Sequence, residues 1–507
     1  MRFASKKIFR FLFMALTLAY PAINSGAQAN SSENLQPPPG TSTVALKAPE
    51  PAASAPKFPA PAAPAPQAEA PSSPLQFKIG DASITPLGFM DLTNTYRSTN
   101  AGTSLQTNFG SIPYFNTLQG HLSEDKFSAA NSRIGFRVDA IAKGFNVLGY
   151  YEGDFVGGVA GNNTQVSSNS LLYRIRLYWV DVRKGAFEML AGQSWSMMTP
   201  NRTQISALPG NLFFTQVVDV NYLNGLTWGR IPGIRFLYHP TDKATIGLSL
   251  ENSTQYFGGS GGGGTPTLPA ALSAPIPNEV DANVINGIAT PNVHPDLIAK
   301  AAFDPNSHVH FEFGGVERTV KLYNPNTNVS FTKGSGGGFL NGNFEILKNF
   351  RLITNNYWSE GGGRYLFGIA PDFIVHADGS PSFIHSGSTI QGFETRFNNT
   401  QFYTYYGGVY IGRNTALDTN GARIGYGYTG SPNSHNRTTQ EGTTGITQTL
   451  VNDGKYGAVQ LMLQYAYFFR NPWFVAPGAP KNTHEHAVWF NLRYVLPGSA
   501  PTVVLQK

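Results

Sequence analysis

Apolar and polar residues alternate along this chain in short segments, joined by connections that are in turn short and long. From Asn131 to Ala140, Ile134, Phe136, Val138 and Ala140 alternate with Arg133, Arg137 and Asp139. A turn around Gly144 follows, after which Phe145, Val147, Tyr151 and Phe155 oppose Asn146, Glu152 and Asp154. A period of two means a strand with one apolar and one polar face. Near the end of the chain Val459, Leu461, Leu463, Tyr465, Tyr467 and Phe469 alternate with Gln460, Met462 and Gln464, and Val488, Phe490, Leu492 and Tyr494 alternate with Trp489, Asn491 and Arg493. From Phe77 onward the pattern yields about sixteen such segments. Seven tight turns, carrying Gly, Asn, Asp or Pro, fall near 144, 184–185, 241–242, 305–306, 348–349, 398–399 and 453–454. Eight longer connections lie between them, at 98–129, 157–169, 196–226, 254–294, 320–335, 360–387, 412–444 and 471–483. That asymmetry predicts an all-β chain: a transmembrane antiparallel β-barrel of about 16 strands, with both ends on the short-turn side. A soluble two-sheet sandwich also alternates, but it does not gather its long loops at one end. Trp179, Tyr238, Phe469 and Tyr494 sit near strand ends, where aromatic girdles are expected. Segments near 350–359 and 401–411 carry aromatics at both parities, so the pattern leaves their faces unassigned.

Composition supports this reading. Of 507 residues, 41% are hydrophobic and only 13% charged, yet no window supplies the roughly 18 uncharged apolar residues of a membrane helix. A barrel strand crosses with about 9–11 residues, half of them apolar. The chain has no cysteine, which excludes a disulfide scaffold and a thiolate metal site. Residues 1–29 read as a signal peptide: basic Arg2, Lys6, Lys7 and Arg10, apolar Phe11–Tyr20, and a small-x-small site at Ala27-Gln28-Ala29. Residues 30–76 are Pro- and Ala-rich and are expected to be a disordered periplasmic linker. The barrel is expected over 77–497, with a short tail at 498–507. Net charge is +6, but four of the basic residues are in the leader. The remainder is mildly cationic and lacks the composition of a nucleic-acid binder.

Sixteen strands enclose a water-filled lumen, so the inward residues carry the chemistry. By parity they include Arg133, Arg137, Asp139, Glu152, Asp154, Arg174, Arg176 and Tyr178, with Tyr173, Ile175, Leu177 and Trp179 outward. The turn at Gly144 places Arg133 beside Glu152 or Asp154. Two readings stand: the charges form an ion-pair ladder that stiffens the wall, or the arginines form a cationic track for an anion, whose carboxylate suits the guanidinium fork. The connection 196–226 holds Arg202, Asp219, Phe213, Phe214 and Tyr222. Its apolar residues are costly on an exposed loop, so it is expected to fold inward and narrow the lumen. His308 and His310 share a parity with Glu312, but no third ligand accompanies them; no metal or cofactor is expected. Passive diffusion needs no catalytic group. The alternatives are a hydrolase on a barrel, for which no Gly-x-Ser-x-Gly motif is present, and an adhesin displaying the Asn/Gly/Thr-rich loops.

At Asn131-Ser132-Arg133-Ile134-Gly135-Phe136, Tyr151-Glu152-Gly153-Asp154-Phe155 and Leu190-Ala191-Gly192-Gln193-Ser194-Trp195, the chain resembles the DcaP-like trimeric porins of the bacterial outer membrane. In organisation the likeness spans about 80–496. It implies a homotrimer of sixteen-stranded barrels, in contact with outer-membrane lipid, that passes small anions such as dicarboxylates past constriction arginines. Arg133, Glu152 and Asp154 lie within the matched phrases; Arg137, Arg174 and Arg176 are assigned by periodicity alone. In general porins the constriction loop holds the strand-order position of 196–226.

Overall fold

The structure, a computed structural model, describes residues 73–101, 105, 107–158, 167–206, 212–215, 222–259, 262–280 and 293–498. The leader at 1–29, the linker up to residue 72, Asp219, and the tail beyond Gly498 lie outside the described residues.

Sixteen strands make the wall: β1 (Ala82–Arg97), β2 (Arg133–Ala142), β3 (Phe145–Asp154), β4 (Arg174–Lys184), β5 (Phe187–Trp195), β6 (Arg230–Thr241), β7 (Ala244–Glu251) and β8 (Asp296–Asn306), then β9 (Val309–Asn324), β10 (Val329–Leu347), β11 (Phe350–Glu360), β12 (His385–Phe397), β13 (Thr400–Ile411), β14 (Asn436–Asp453), β15 (Gly457–Pro472) and β16 (Thr483–Val495). Each pairs antiparallel with the next, and β1 closes on β16 from Phe89↔Val495 to Arg97↔Ala487. The chain is therefore a closed sixteen-stranded antiparallel barrel without an edge. Phe77–Ile79 folds back on the start of β1, and Glu124–Ser128 pairs with its far end.

All seven tight turns fall where turn chemistry placed them. Gly144, Gly185, Asn349 and Asn398 have positive φ, the conformation that selects Gly and Asn there. One long connection was misplaced. Residues 320–335 are not a loop: β9 and β10 stay paired to Asn324↔Val329, leaving a four-residue turn. The reason lies outside the strands. Val320 and Leu322 are buried in a small apolar core with Phe257, Leu272, Phe373 and Val375 from two neighbouring loops, so the hairpin continues beyond its membrane-length portion. The two ambiguous segments also resolve. On β11 Arg351, Ile353 and Tyr357 point inward and Leu352 and Trp358 outward; on β13 Tyr403 and Tyr405 point inward and Phe402, Tyr406 and Tyr410 outward.

The outer surface around β15, β16 and β1–β9 is an apolar belt, with Met90, Leu92, Ile134, Ile246, Leu463 and Phe490 among its exposed residues. Such a belt on a closed barrel matches hydrocarbon. Inside, the long loops pack inward. One buried apolar core joins Phe109 and Ile112, the 196–229 connection, Tyr365 to Ile374, and the inner faces of β6, β8–β13, β15 and β16. Much of that side of the lumen is thus dry protein rather than water.

Candidate functional site

Strands β2–β4 bring five of the nominated residues together. The register sets Arg133 opposite Asp154. Arg133 lies 3.7 Å from Glu152, while Arg176 bonds Glu152 at 2.7 Å and Asp154 at 2.9 Å. Arg174 bonds Asp154 through Nε at 2.9 Å and Nη2 at 2.7 Å. Arg137 stands apart, toward the turn, where it grips Asp139 on its own strand at 2.6–3.0 Å. The ladder geometry is therefore present. Exposure separates its members: the Arg176 side chain is fully buried, whereas those of Arg174 and Arg137 remain about a quarter exposed.

Parity fails at one point on β4. A β-bulge shifts the β3–β4 register between Glu152↔Leu177 and Gly153↔Ile175, so Arg176 and Leu177 both point inward. Every residue beyond it changes face. Tyr178, expected inside, is exposed on the outer wall. Trp179, expected in the girdle, is buried inside, stacked on Tyr150 at 5.3 Å with Leu87, Leu177 and Leu190.

The arginine wall continues across the closure. Arg493 on β16 bonds Asp91 on β1 at 2.7 Å and lies over Phe89, which Arg133 also faces. Arg97 bonds Glu124 at 2.8 Å. Parity marked Arg493 as inward, but only knowing that β16 meets β1 places it beside Asp91.

The connection between β5 and β6 folds into the barrel and runs along the wall facing this cluster. Its two ends are clamped by Ser196 N donating to Gly229 O at 2.7 Å. Lys300 of β8 donates to Thr199 O and Asn201 Oδ1, and Glu312 of β9 accepts from Asn201 N. Arg202 then makes a two-pronged bond to Glu394 of β12, at 2.9 and 2.6 Å. Further on, Tyr405 of β13 donates to the same carboxylate at 2.6 Å and accepts from Phe214 N. Asn224 N donates to Glu441 of β14 at 2.9 Å. Met197, Met198, Phe213, Leu223 and Leu226 are buried against the wall, the apolar set whose exposure the sequence made costly. Arg202 is thus a strut of this loop on the far wall rather than a member of the β2–β4 cluster. Where the loop rejoins the barrel, Arg230 lies over Trp195 and Trp228, at 5.8 and 5.2 Å.

His308 sits in the β8–β9 turn beside Glu345; His310 points inward between Asp304 at 2.9 Å and Glu312 at 3.4 Å. Parity had already put His310 with Glu312, but Asp304, Arg235 and the Arg318–Asp296–Asp372 group escaped sequence reasoning, because their partners come from other strands and loops.

Among solved structures, the outer-membrane channel DcaP of Acinetobacter baumannii aligns with a TM-score of 0.57 at 16% identity, over 82% of this chain and 98% of that one. The barrel has the fold of that channel. The anion-selective porin from Comamonas acidovorans aligns at a TM-score of 0.45 and 11% identity, over 82% of this chain and 99% of that one. No protein-family profile and no curated protein sequence matches the chain.

Proposed function

We propose that this protein is a bacterial outer-membrane porin, a homotrimer through which small hydrophilic solutes diffuse passively, with preference for small anions such as dicarboxylates. The observation that carries the reading is the pairing of an inward loop, docked on β8–β14, with an arginine-rich wall on β16 and β1–β4 across the lumen. A loop held by buried ion pairs narrows a sixteen-stranded bore, and the opposing guanidiniums set the sign of the field in what remains. The buried arginines Arg176 and Arg493 hold their carboxylates in place, while the partly exposed Arg137 and Arg174 face the solute path, with Arg133, Glu152 and Asp154 forming its wall. The fold and the name of the Acinetobacter channel support the porin reading, and the name of the Comamonas porin is in keeping with the anion preference. Residues 1–29 serve export and 30–76 tether or space the barrel on its periplasmic side.

Liposome swelling tests this directly. Proteoliposomes should swell faster in isosmotic sodium succinate than in a neutral disaccharide, and protein-free liposomes should respond to neither. Equal, protein-independent rates would remove the channel reading. Swelling that is faster for an organic cation than for succinate would remove the anion preference.

A further inference from the structure

The outward face of β13–β15 changes chemistry in steps toward the long loops. On β15 it runs from Leu463 through Tyr465 and Tyr467 to Asn471, which accepts from Thr438 of β14. Beyond this amide and hydroxyl stands Trp473, with the exposed side chains of Arg413 and Arg437 over its ring at 5.7 and 5.1 Å. Strand parity would send Arg437 inward, but the β-bulge between Asn436 and Thr438 turns it out. Aliphatic, aromatic, polar and then cationic groups are the order met on leaving hydrocarbon for the headgroups. Trp473 is fixed in place. Its Nε1 donates to Ile411 O at 2.9 Å and its backbone N to His435 O at 3.0 Å. Gly427, at φ +76°, makes room for the ring: a Cβ there would lie 2.7 Å from it. Among the described residues neither guanidinium has a carboxylate partner. Glu441, the carboxylate nearest to Arg437 in sequence, is buried on the inner face.

Further into the band the same strands carry a groove of about 870 Å³, lined by Phe393, Thr404, Tyr406, Gly442, Thr444 and Tyr465. Aromatic rings bound it along the strands, with Phe350, Phe393 and Phe402 near the short turns and Trp358 and Tyr410 near the loops. The groove therefore lies at hydrocarbon depth. Its hydroxyls are satisfied within the wall: Thr404 bonds Thr444 at 3.0 Å, and Tyr406 donates to Gln440 at 3.1 Å. What it offers a ligand is methyl groups and ring edges. An unfilled hollow forfeits dispersion contacts along its lining, so an acyl chain is its fitting occupant.

We propose that β13–β15 hold a phosphate-bearing lipid of the outer leaflet, with its phosphate on Arg413 and Arg437 and an acyl chain in the groove. Each half of the ligand has its own observation. The guanidinium fork matches phosphate oxygens, and the ring of Trp473 holds both arginines at the rim. A soluble phosphate would leave the groove unfilled, and an uncharged lipid would leave two cations unpaired at headgroup level. The two parts are one lipid apart. Arg437 and Gly442 are five residues apart on β14, about 17 Å along the strand, and one leaflet of hydrocarbon is about 15 Å deep.

Native mass spectrometry of the detergent-solubilised protein tests this, with bis-phosphorylated lipid A and its fully dephosphorylated form as probes. The expected result is one lipid A bound per chain, with the dephosphorylated form weaker by about tenfold, the scale of a charge-assisted hydrogen bond. Arg413→Gln combined with Arg437→Gln should cause a similar loss. Gly442→Leu fills the groove, and a Cβ there meets no atom within 4 Å, so it should weaken lipid binding while the barrel keeps its β circular dichroism. Equal binding of the two lipids, or native-like binding by the double arginine variant, would overturn the phosphate site. Native-like binding by Gly442→Leu would overturn the groove as the seat of the chain. Displacement of the lipid by millimolar inorganic phosphate would assign the arginines to a soluble anion and overturn the proposal.

Discussion

Arg174 and Arg176 are two residues apart on β4, face the same lumen and share Asp154, yet they have different roles. Arg176 is fully buried on two carboxylates. Removing it leaves negative charge in a site without water, and Arg176→Ala should destabilise the barrel by about 3 kcal/mol, measured as a lower urea midpoint for unfolding from lipid vesicles. Arg174 keeps about a quarter of its side chain in water, so its removal should cost little stability. On the proposed porin reading its charge acts on the passing ion, and Arg174→Ala should lower the anion-to-cation permeability ratio by about fivefold, the equivalent of about 1 kcal/mol for a unit charge near a watery path. Period-two alternation placed both arginines inside but contained nothing on their burial, which depends on the side chains that β3 and β5 set around them. His435 shows a second residue-scale effect. It is buried, with Nε2 2.9 Å from Thr265 O and Nδ1 accepting from Gly427 N at 3.0 Å, so it ties two outer loops together as a neutral ring. Burial holds its pKa below the usual histidine range. The unfolded loop therefore binds the proton more readily, and the tie is intact above the ordinary histidine pKa and weakens as pH falls through that range. Hydrogen exchange at Gly427, corrected for the intrinsic pH effect, should quicken between pH 7.5 and 5.5 in the native protein; an unchanged corrected rate would contradict this.

At the scale of elements, the inward loop depends on its contacts with the wall more than on its own conformation. Gly407 on β13 shows how closely it docks: a Cβ there would lie 2.1 Å from the Asn224 carbonyl. Gly407→Ala should push the loop from the β14 wall at a cost of roughly 1–3 kcal/mol, with single-channel current becoming larger and noisier while the barrel stays folded. The apolar residues of 196–226 were enough to show that it turns inward. Its path was not legible, because Lys300, Glu312, Glu394 and Glu441 lie on four distant strands. Two further elements show the limits of alternation. The bulge at Arg176–Leu177 has no signature in a two-residue period, so one extra residue reversed Tyr178 and Trp179. The β9–β10 hairpin outruns its membrane span because loops from elsewhere cover Val320 and Leu322, a tertiary effect that local turn residues cannot announce.

At the scale of the whole molecule, two halves of one lumen differ. The β6–β14 side is filled by inward loops with a continuous apolar core, and the β16 and β1–β4 side carries the arginine wall. Strand number alone would give a wide, weakly selective bore; on the proposed reading the filled half leaves a narrower path beside the arginines. Selectivity, and not the bare presence of a channel, is therefore what this arrangement would confer. The direct measurement is the reversal potential of the purified protein in a planar bilayer under a tenfold potassium chloride gradient. The expected result is stepwise currents with a reversal potential on the chloride side of zero, moving toward the potassium side in Arg174→Ala. A reversal potential on the potassium side in the native protein, unmoved by that substitution, would contradict it.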